Sequence, residues 1–292
     1  MLVKFKKPTL LCVVLSFCLG MARADLVSHW PLDGDANDIV GNHDGEVSGG
    51  VAFGAKGAAA HTGTAAKFNG LSSTITVPHS TELNPQSFTL ALWARSNGGA
   101  GAWNSPVTSR HDLNPDSQGY LIYDSEPSGV WTFWSGNGTK NGNWQTLDGP
   151  KVKVGEWQHI AITYDSATET KKLYVDGKFK VKQNEAVFPN DRTPFNIGSG
   201  SDYGGSYYFD GLIDDVALWD NVLTLKEIRD VMNNGVPRGA PVVINFSASP
   251  PLINSGQIVT LSWEVLRADF VSITPGVGTV ANMSGRVVAS PA

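Results

Sequence analysis

The hard oxygen donors of this 292-residue chain crowd into one early stretch, where Asp33, Asp35, Asn37, Asp38, Asn42 and Asp44 follow one another closely. Carboxylate and amide oxygens gathered on a turn suit calcium, which takes about six to eight oxygen ligands in a flexible geometry. Asp214 and Asp215, on the last strand expected before a short helix, add two more carboxylates. The spacing from Asp33 to Asp44 echoes an EF-hand loop, but Asp38 stands where that loop needs glycine and its flanks read as strands, so the EF-hand is rejected. The same residues also suit an ordinary Asx-rich turn, in which aspartate side chains accept from backbone amides. A second group is aromatic. Sugars present apolar C–H faces that stack on Trp and Tyr rings, while Asn, Asp and backbone groups take the hydroxyls. Trp103, Trp131, Trp134, Trp144, Tyr203 and Tyr207 could form such a platform, several of them in Gly-, Asn- and Ser-rich stretches such as Ser135 to Trp144 and Ser199 to Ser206.

Other chemistries find no motif. The six histidines, His29, His43, His61, His79, His111 and His159, are isolated from one another, with no His-Glu-x-x-His to hold a catalytic zinc. There is no Gly-x-Ser-x-Gly elbow and no phosphate-cradling Gly-x-x-x-x-Gly-Lys loop. The two cysteines, Cys12 and Cys18, lie in a leader, which leaves none for disulfides, zinc or nucleophilic attack.

That leader is residues 1–24: basic Lys4, Lys6 and Lys7, an apolar run from Thr9 to Met21, and a small-residue cleavage site at Ala22-Arg23-Ala24. The apolar run has 13 residues where a membrane span needs about 20, so a cleaved secretory signal is expected, and no later segment could cross a bilayer as a helix. Phe17 before Cys18 argues against a lipidated cysteine. The expected location is secreted or at the cell surface. The leader takes four of the 22 Lys and Arg and none of the 27 Asp and Glu, leaving 18 against 27, a formal charge of −9. An acidic chain with scattered basic residues is a poor partner for nucleic acid; the local cluster Lys178, Lys180 and Lys182 alternates with Phe179 and Val181 and reads as a solvated strand face.

The elements that must position these residues are strands. From Leu26 to Trp219 short β-branched and aromatic runs alternate with Gly, Asn, Asp, Ser and Pro, the pattern of a sandwich or barrel. Strands are predicted over Thr74–Val77, Phe88–Arg95, Tyr120–Tyr123, Val130–Trp134, Trp157–Tyr164, Lys172–Asp176, Phe179–Val181 and Leu212–Trp219. In one of them Phe88, Leu90 and Leu92 share a face opposite Thr89, Ala91, Trp93 and Arg95. Asp176-Gly177 predicts a tight hairpin. One helix is predicted, capped by Thr224 with Glu227 completing a capping box, repeating apolar residues at Leu225, Ile228 and Met232, and ending at Asn233-Asn234-Gly235. Residues 236–242 read as a linker. Beyond it, 243–292 carries a second β pattern over Ile244–Ala248, Ile258–Trp263 and Phe270–Ile273.

The strands carry recognisable words. Gly155-Glu156-Trp157-Gln158-His159-Ile160-Ala161-Ile162-Thr163-Tyr164-Asp165, then Leu173-Tyr174-Val175-Asp176-Gly177, then Gly211-Leu212-Ile213-Asp214-Asp215-Val216 with Leu218-Trp219, resemble the laminin-G-like, concanavalin A-like jelly-roll family. Trp30-Pro31-Leu32-Asp33-Gly34 through Gly41-Asn42-His43-Asp44-Gly45, and Ser87-Phe88-Thr89 with Trp93, are similar to its usual opening, so the resemblance covers 25–235. In the tail, Ser249-Pro250, Gly256-Gln257 and Val259-Thr260-Leu261-Ser262-Trp263 resemble the immunoglobulin-like repeats of bacterial surface proteins. Such a sandwich needs about 100 residues, so the tail is expected to be a partial immunoglobulin-like domain and the chain a piece of a longer, multi-domain protein.

The resemblance implies an all-β fold: two antiparallel sheets packed face to face as a jelly roll, with one short helix at the end of the domain and a partial immunoglobulin-like β domain after it. Ligands of the family bind on the concave face or at the loop rim, and its members are mostly carbohydrate-binding or adhesive, although the fold also hosts glucanases and polysaccharide lyases. The family often holds a structural calcium where the first turn meets the Ile-Asp-Asp strand, and Asp33, Asp38, Asn42 and Asp214 or Asp215 match those places; Ile39-Val40 depart from the small polar residues usual there. Trp30, Trp93, Trp157 and Trp219 sit in family words and are expected in the core. The glucanase motif Glu-x-Asp-x-x-Glu is absent, and Gln158 and His159 are adjacent where alginate lyases use Gln-x-His, so these two point to opposite strand faces. The expected function is a non-catalytic lectin-like module with carbohydrate or glycoprotein as partner and Ca2+ as a structural ion. A polysaccharide lyase or glycoside hydrolase, and an adhesion module binding protein, remain alternatives.

Overall fold

The structure, a computed structural model, describes residues 26–98, 103–112, 117–125, 129–138, 144–200, 206–237, 242–250, 257–266, 271–273, 278–280 and 284–289. The leader expected over 1–24 lies outside them. The chain divides into two compact units, of which the first is Ala24–Pro237 and the second contains Arg238–Ala292.

The first unit is built from β1 (Leu26–Trp30), β2 (Glu46–Ser48), β3 (Ala52–Lys56), β4 (Thr64–Asn69), β5 (Thr74–Val77), β6 (Phe88–Ser96), β7 (Trp103–His111) and β8 (Gln118–Ser125). It continues with β9 (Val130–Gly136), β10 (Trp144–Lys151), β11 (Gln158–Asp165), β12 (Thr170–Val175), β13 (Lys178–Asn184), β14 (Phe195–Ile197), β15 (Asp210–Trp219) and helix α1 (Leu225–Asn234). One antiparallel sheet runs β13-β12-β11-β6-β15-β4-β3, with β1 added beside β15. The other runs β10-β9-β8-β7-β14-β5-β2. Two antiparallel sheets packed as a sandwich are the jelly-roll architecture expected from the sequence.

The packing follows strand alternation. Phe88, Leu90 and Leu92 of β6, Ile160 and Ile162 of β11, and Ile213, Val216 and Leu218 of β15 meet Val107, Ile122, Trp131, Phe133, Phe195 and Ile197 of the other sheet in one buried core. Each such side chain contributes roughly 1.5–3 kcal/mol relative to exposure. Phe88 stacks on Tyr120 across the sandwich with ring centroids 4.4 Å apart. A second cluster lies on the outward face of the larger sheet, where Ala91, Ala161, Ala217 and Trp219 pack with Ile228 and Val231 of α1. The capping box between Thr224 and Glu227 starts that helix, and Gly235 ends it.

The eight strands expected from the sequence are present with ends moved by a few residues, and Trp157 falls just before β11. Asp176 and Gly177 take φ of 53° and 62°, the positive pair that a two-residue hairpin between β12 and β13 requires. Lys178, Lys180 and Lys182 are exposed along β13. β7 escapes sequence reading because it is polar and contains Pro106, which the strand tolerates at a break in its register between Asn104 and Val107.

The second unit has an antiparallel sheet β16-β17-β20 (Val242–Ser249, Val259–Leu266, Ser284–Ala289), and β18 (Val271–Ile273) pairs with β19 (Gly278–Val280). Val259, Leu261, Trp263, Val265 and Ile273 form its buried cluster.

Candidate functional site

On β7 to β10, residues alternate with the core-facing Val107, Ile122, Trp131 and Phe133, so Thr108 and Arg110, Leu121 and Tyr123, Thr132 and Trp134 project from the opposite, outward face. Trp144 lies across from Gly136 and Thr146 across from Trp134, on the same face. The rings converge on Tyr123. Trp103 lies 5.3 Å from it, Trp134 5.4 Å at an interplanar angle of 90°, and Tyr207 5.8 Å at 77°. Trp103 and Trp134 meet each other edge to face at 4.9 Å. Tyr123 is the buried floor; Trp103, Trp134 and Trp144 are half-buried, and Tyr207 is 40% exposed.

Arg110 ties this surface together from below. Its Nη1 donates to the Tyr123 hydroxyl at 2.7 Å and to the Gly200 carbonyl at 3.1 Å, and its Nη2 donates to the Asp112 carboxylate. The guanidinium carbon sits 5.1 Å from the Trp144 ring centre and 5.7 Å from that of Tyr207. Asp112 Oδ1 in turn accepts from Trp144 Nε1 at 3.1 Å. Burial pushes the Tyr123 hydroxyl well above its ordinary pKa, the nearby Arg110 charge opposing, so it remains a neutral acceptor for Arg110. Tyr207 adopts φ of 59°, a conformation costly for a non-glycine residue, and its carbonyl accepts from Ser105 N at 2.9 Å. A Cβ on Gly200 would come within 2.9 Å of Tyr207 Cβ and 3.1 Å of Tyr123 Cε1, so only glycine lets the chain pass this close to the floor. The result is a preformed apolar surface edged by fixed polar groups, able to stack a flat apolar ligand face and bond its hydroxyls.

Of the aromatic residues singled out from the sequence, Trp103, Trp134, Trp144 and Tyr207 come together here. Trp131 is corrected: it is fully buried in the core, its indole N–H donating to Gln158 Oε1 at 3.0 Å, so it offers no face to a ligand. Tyr203 lies outside the described residues. Sequence reasoning missed Tyr123, Arg110 and Asp112. Alternation could have found the first, since in Tyr120-Leu121-Ile122-Tyr123 the two tyrosines have opposite parity; Tyr120 is in the core and Tyr123 is not.

The early acidic stretch divides by use. Asp38 spends both carboxylate oxygens on the turn: Oδ1 accepts from His29 N at 2.9 Å and Val40 N at 3.0 Å, and Oδ2 from His43 N at 3.3 Å. Asp44 Oδ1 accepts from Asp38 N at 2.8 Å. These are caps of backbone amides, so the oxygens of Asp38 and Asp44 hold the turn. Asn42 is exposed.

The two-sheet sandwich agrees with comparisons to known proteins. Residues 69–229, more than half of the chain, match the family described as the concanavalin A-like lectin/glucanases superfamily. The chain belongs to this superfamily. Among curated relatives, C-reactive protein of Cavia porcellus is 29% identical over 137 residues, 41% of this chain and 59% of that protein. C-reactive protein of Xenopus laevis is 31% identical over 84 residues, 26% of this chain and 35% of that protein. The chain thus covers less than two thirds of the length of these relatives. Among solved structures, domain 4 of an extracellular arabinanase from Geobacillus stearothermophilus, in complex with arabinotriose, superposes with a TM-score of 0.57 at 22% identity, over 71% of this chain and 98% of that domain.

Within this lectin/glucanase sandwich, Asp33, Asp214 and Asp215 form a second polar region. Asp33 Oδ1 accepts from Thr64 N at 2.6 Å, and Asp214 Oδ2 from Ala58 N at 2.9 Å. Asp215, at φ of 48°, occupies the bulge of β15, and its Oδ1 lies 2.7 Å from His29 Nε2. Asp214 Oδ1 is buried without a hydrogen-bond partner. Burial, opposed by bonds from Ala58 and Thr62 and aided by the charges of Asp215 and Asp33, raises the Asp214 pKa to about 7. A Cβ on Gly63 would meet Asp33 Oδ1 at 2.0 Å, and one on Gly57 would meet the Gly63 carbonyl at 2.4 Å and Asp214 Oδ2 at 2.9 Å, so glycines leave these oxygens room. An orphaned carboxylate oxygen among repelling carboxylates fits a hard cation; among the described residues no three His, Cys, Asp or Glu side chains group to hold a metal, so a cation would also need main-chain oxygens.

Proposed function

We propose that this chain is an exported, non-catalytic carbohydrate-binding module that holds a glycan on the platform of Trp103, Trp134, Trp144 and Tyr207. The observation that carries this reading is the convergence of three partly exposed rings, Trp103, Trp134 and Tyr207, on the Tyr123 floor, with Trp144 joined to them through the Arg110 and Asp112 side chains. Aromatic faces with a few fixed polar groups are what sugar rings need. The superfamily contains lectins and glucanases, so membership supports the fold and the platform supports the role.

The reading includes calcium as a structural ion held by Asp33 and Asp214, supported by the unpaired Asp214 Oδ1 and by the crowding of three carboxylates. Bound there, it would neutralise that crowding and pin the loop over 57–64 to β15. The basic start, apolar run and small-residue cleavage site of residues 1–24 support export to the medium or the cell surface. Among the described residues no helix is long and apolar enough to cross a membrane. The paired strands and buried Trp263 of the second unit support its reading as a partial immunoglobulin-like domain.

The test is a glycan array probed with the protein from residue 25 onward, with and without chelator, beside Trp103→Ala. Binding to a glycan that Trp103→Ala abolishes is the expected result. Shortened products of a bound polysaccharide in mass spectra would overturn the non-catalytic role. Capture of a protein ligand with no glycan bound would favour an adhesion module instead.

A further inference from the structure

Arg110 invites the idea that the platform recruits acidic sugars, but its surroundings point the other way. Its side chain is 9% exposed, against 31% for Asp112. Its Nη atoms already donate to the Tyr123 hydroxyl, the Gly200 carbonyl and Asp112. Trp144 and Tyr207 both lie against the guanidinium. A carboxylate on a ligand therefore has no paired N–H fork to dock on. Beside Arg110, among the described residues, Asp112 is a charged group that reaches solvent, and its orientation is set by Arg110 on one side and Trp144 Nε1 on the other. Asp148, across from Thr132 on the same outward face, is a second exposed carboxylate.

We infer that the platform selects uncharged sugars and that Asp112 is the specificity-determining residue. This rests on the carbohydrate-binding reading and adds the class of ligand. Asp112 accepts from hydroxyls of a neutral ring stacked beside Trp144, and it repels a uronate, sialate or sulfate brought to the same place. Arg110 is a positioning residue: buried beneath the platform, it fixes the direction of Asp112 through Nη2 without reaching the ligand itself.

The test compares matched pairs. The best neutral binder from an array of neutral, carboxylated and sulfated glycans is titrated calorimetrically against its counterpart oxidised at C6 to the uronate. The neutral member is expected to bind at least about tenfold tighter at low ionic strength, with the gap narrowing as salt screens the repulsion. Asp112→Asn is expected to weaken the neutral ligand and to narrow the same gap. Should that variant fail to fold, the salt dependence of the wild-type ratio still decides. Uronate binding as tight as neutral binding, or a ratio unchanged in folded Asp112→Asn, overturns the inference. If such acidic binding disappears in Trp103→Ala, the carbohydrate reading stands while the selectivity falls. If nothing on the array binds, both fall.

Discussion

Arg110 lies with its guanidinium carbon 5.1 Å from the centre of the Trp144 ring, whose own N–H is held by Asp112, the carboxylate that Arg110 pairs with. Three groups thus fix one another in a closed circuit. Arg110→Met would remove the guanidinium donors from Asp112, the Tyr123 hydroxyl and the Gly200 carbonyl, leaving Asp112 its bond from Trp144 Nε1. Stability should fall by about 1–2 kcal/mol, discounted because Asp112 is partly solvated. Arg110→Lys should recover little of this, since an ammonium cannot serve three acceptors in a planar fork. Thermal melting of the two variants checks both statements; a lysine variant melting with the wild type would break the circuit argument.

Trp131 and Trp134 sit three residues apart on β9 and should behave as different kinds of residue. Trp131→Ala empties a core site and should cost about 3–5 kcal/mol of stability, leaving Gln158 without its indole partner. Trp134→Ala should cost much less stability and weaken glycan binding by about tenfold or more. Because Trp103 and Trp134 touch at 4.9 Å, their alanine variants should be non-additive, with coupling of about 1 kcal/mol in a double-mutant cycle. Additive losses would mean that the two rings bind separate parts of the ligand.

What the sequence made legible follows from period and turn chemistry. Alternation in β6, the Asp176-Gly177 turn and the Thr224 capping box each rest on a few adjacent residues, and all three are local enough to read directly. The platform is not local. Trp103, Tyr123, Trp134, Trp144 and Tyr207 come from four strands and a loop, and composition could say only that rings lay in polar stretches. The same alternation that places Phe88 inward also separates Trp131 from Trp134. Arg110 was invisible because β7 carries Pro106 and does not read as a strand. Asp38 and Asp33 look alike in sequence, and only the backbone amides around each tell a turn cap from a carboxylate facing other carboxylates.

Lys171 projects into the sandwich fully buried, donating to Glu185 at 2.9 Å and to Ser135 at 3.0 Å, above the Phe133 ring. Burial lowers its pKa, with the Glu185 bond and charge opposing. Removing Glu185 alone, as in Glu185→Ala, should be the more damaging change, at about 3 kcal/mol, because it strands a buried ammonium. Lys171→Met, which fits the same apolar space, should be close to neutral. Chemical denaturation of the two variants distinguishes the cases. Equal losses would show that the pair itself, rather than the stranded charge, sets the cost.

Asp214 and His159 make opposite demands on pH. The Asp214 pKa is raised to about 7 from 3.8, chiefly by burial, so the fold holds its proton more tightly than the unfolded chain. Its contribution is fully present below about 3.8 and is lost as pH rises through about 7. His159, buried with its ring edge against Trp93, has its pKa lowered to about 3 from 6.5, by burial first and the His61 charge second. Its contribution is present above about 6.5 and is lost as pH falls through about 3. The two slopes oppose each other between these values, so the wild-type melting temperature should change little with pH there in chelator buffer. Asp214→Asn should uncover the acid slope of His159 and melt higher than the wild type at pH 8, where the wild-type carboxylate is ionised and unpaired. Adding calcium at pH 8 should raise the wild-type melting temperature and leave Asp214→Asn unmoved, since the cation stabilises the ionised form that the variant lacks. Wild type and variant melting together at pH 8 without calcium would remove the raised pKa, and an equal response of both to calcium would move the ion away from Asp214.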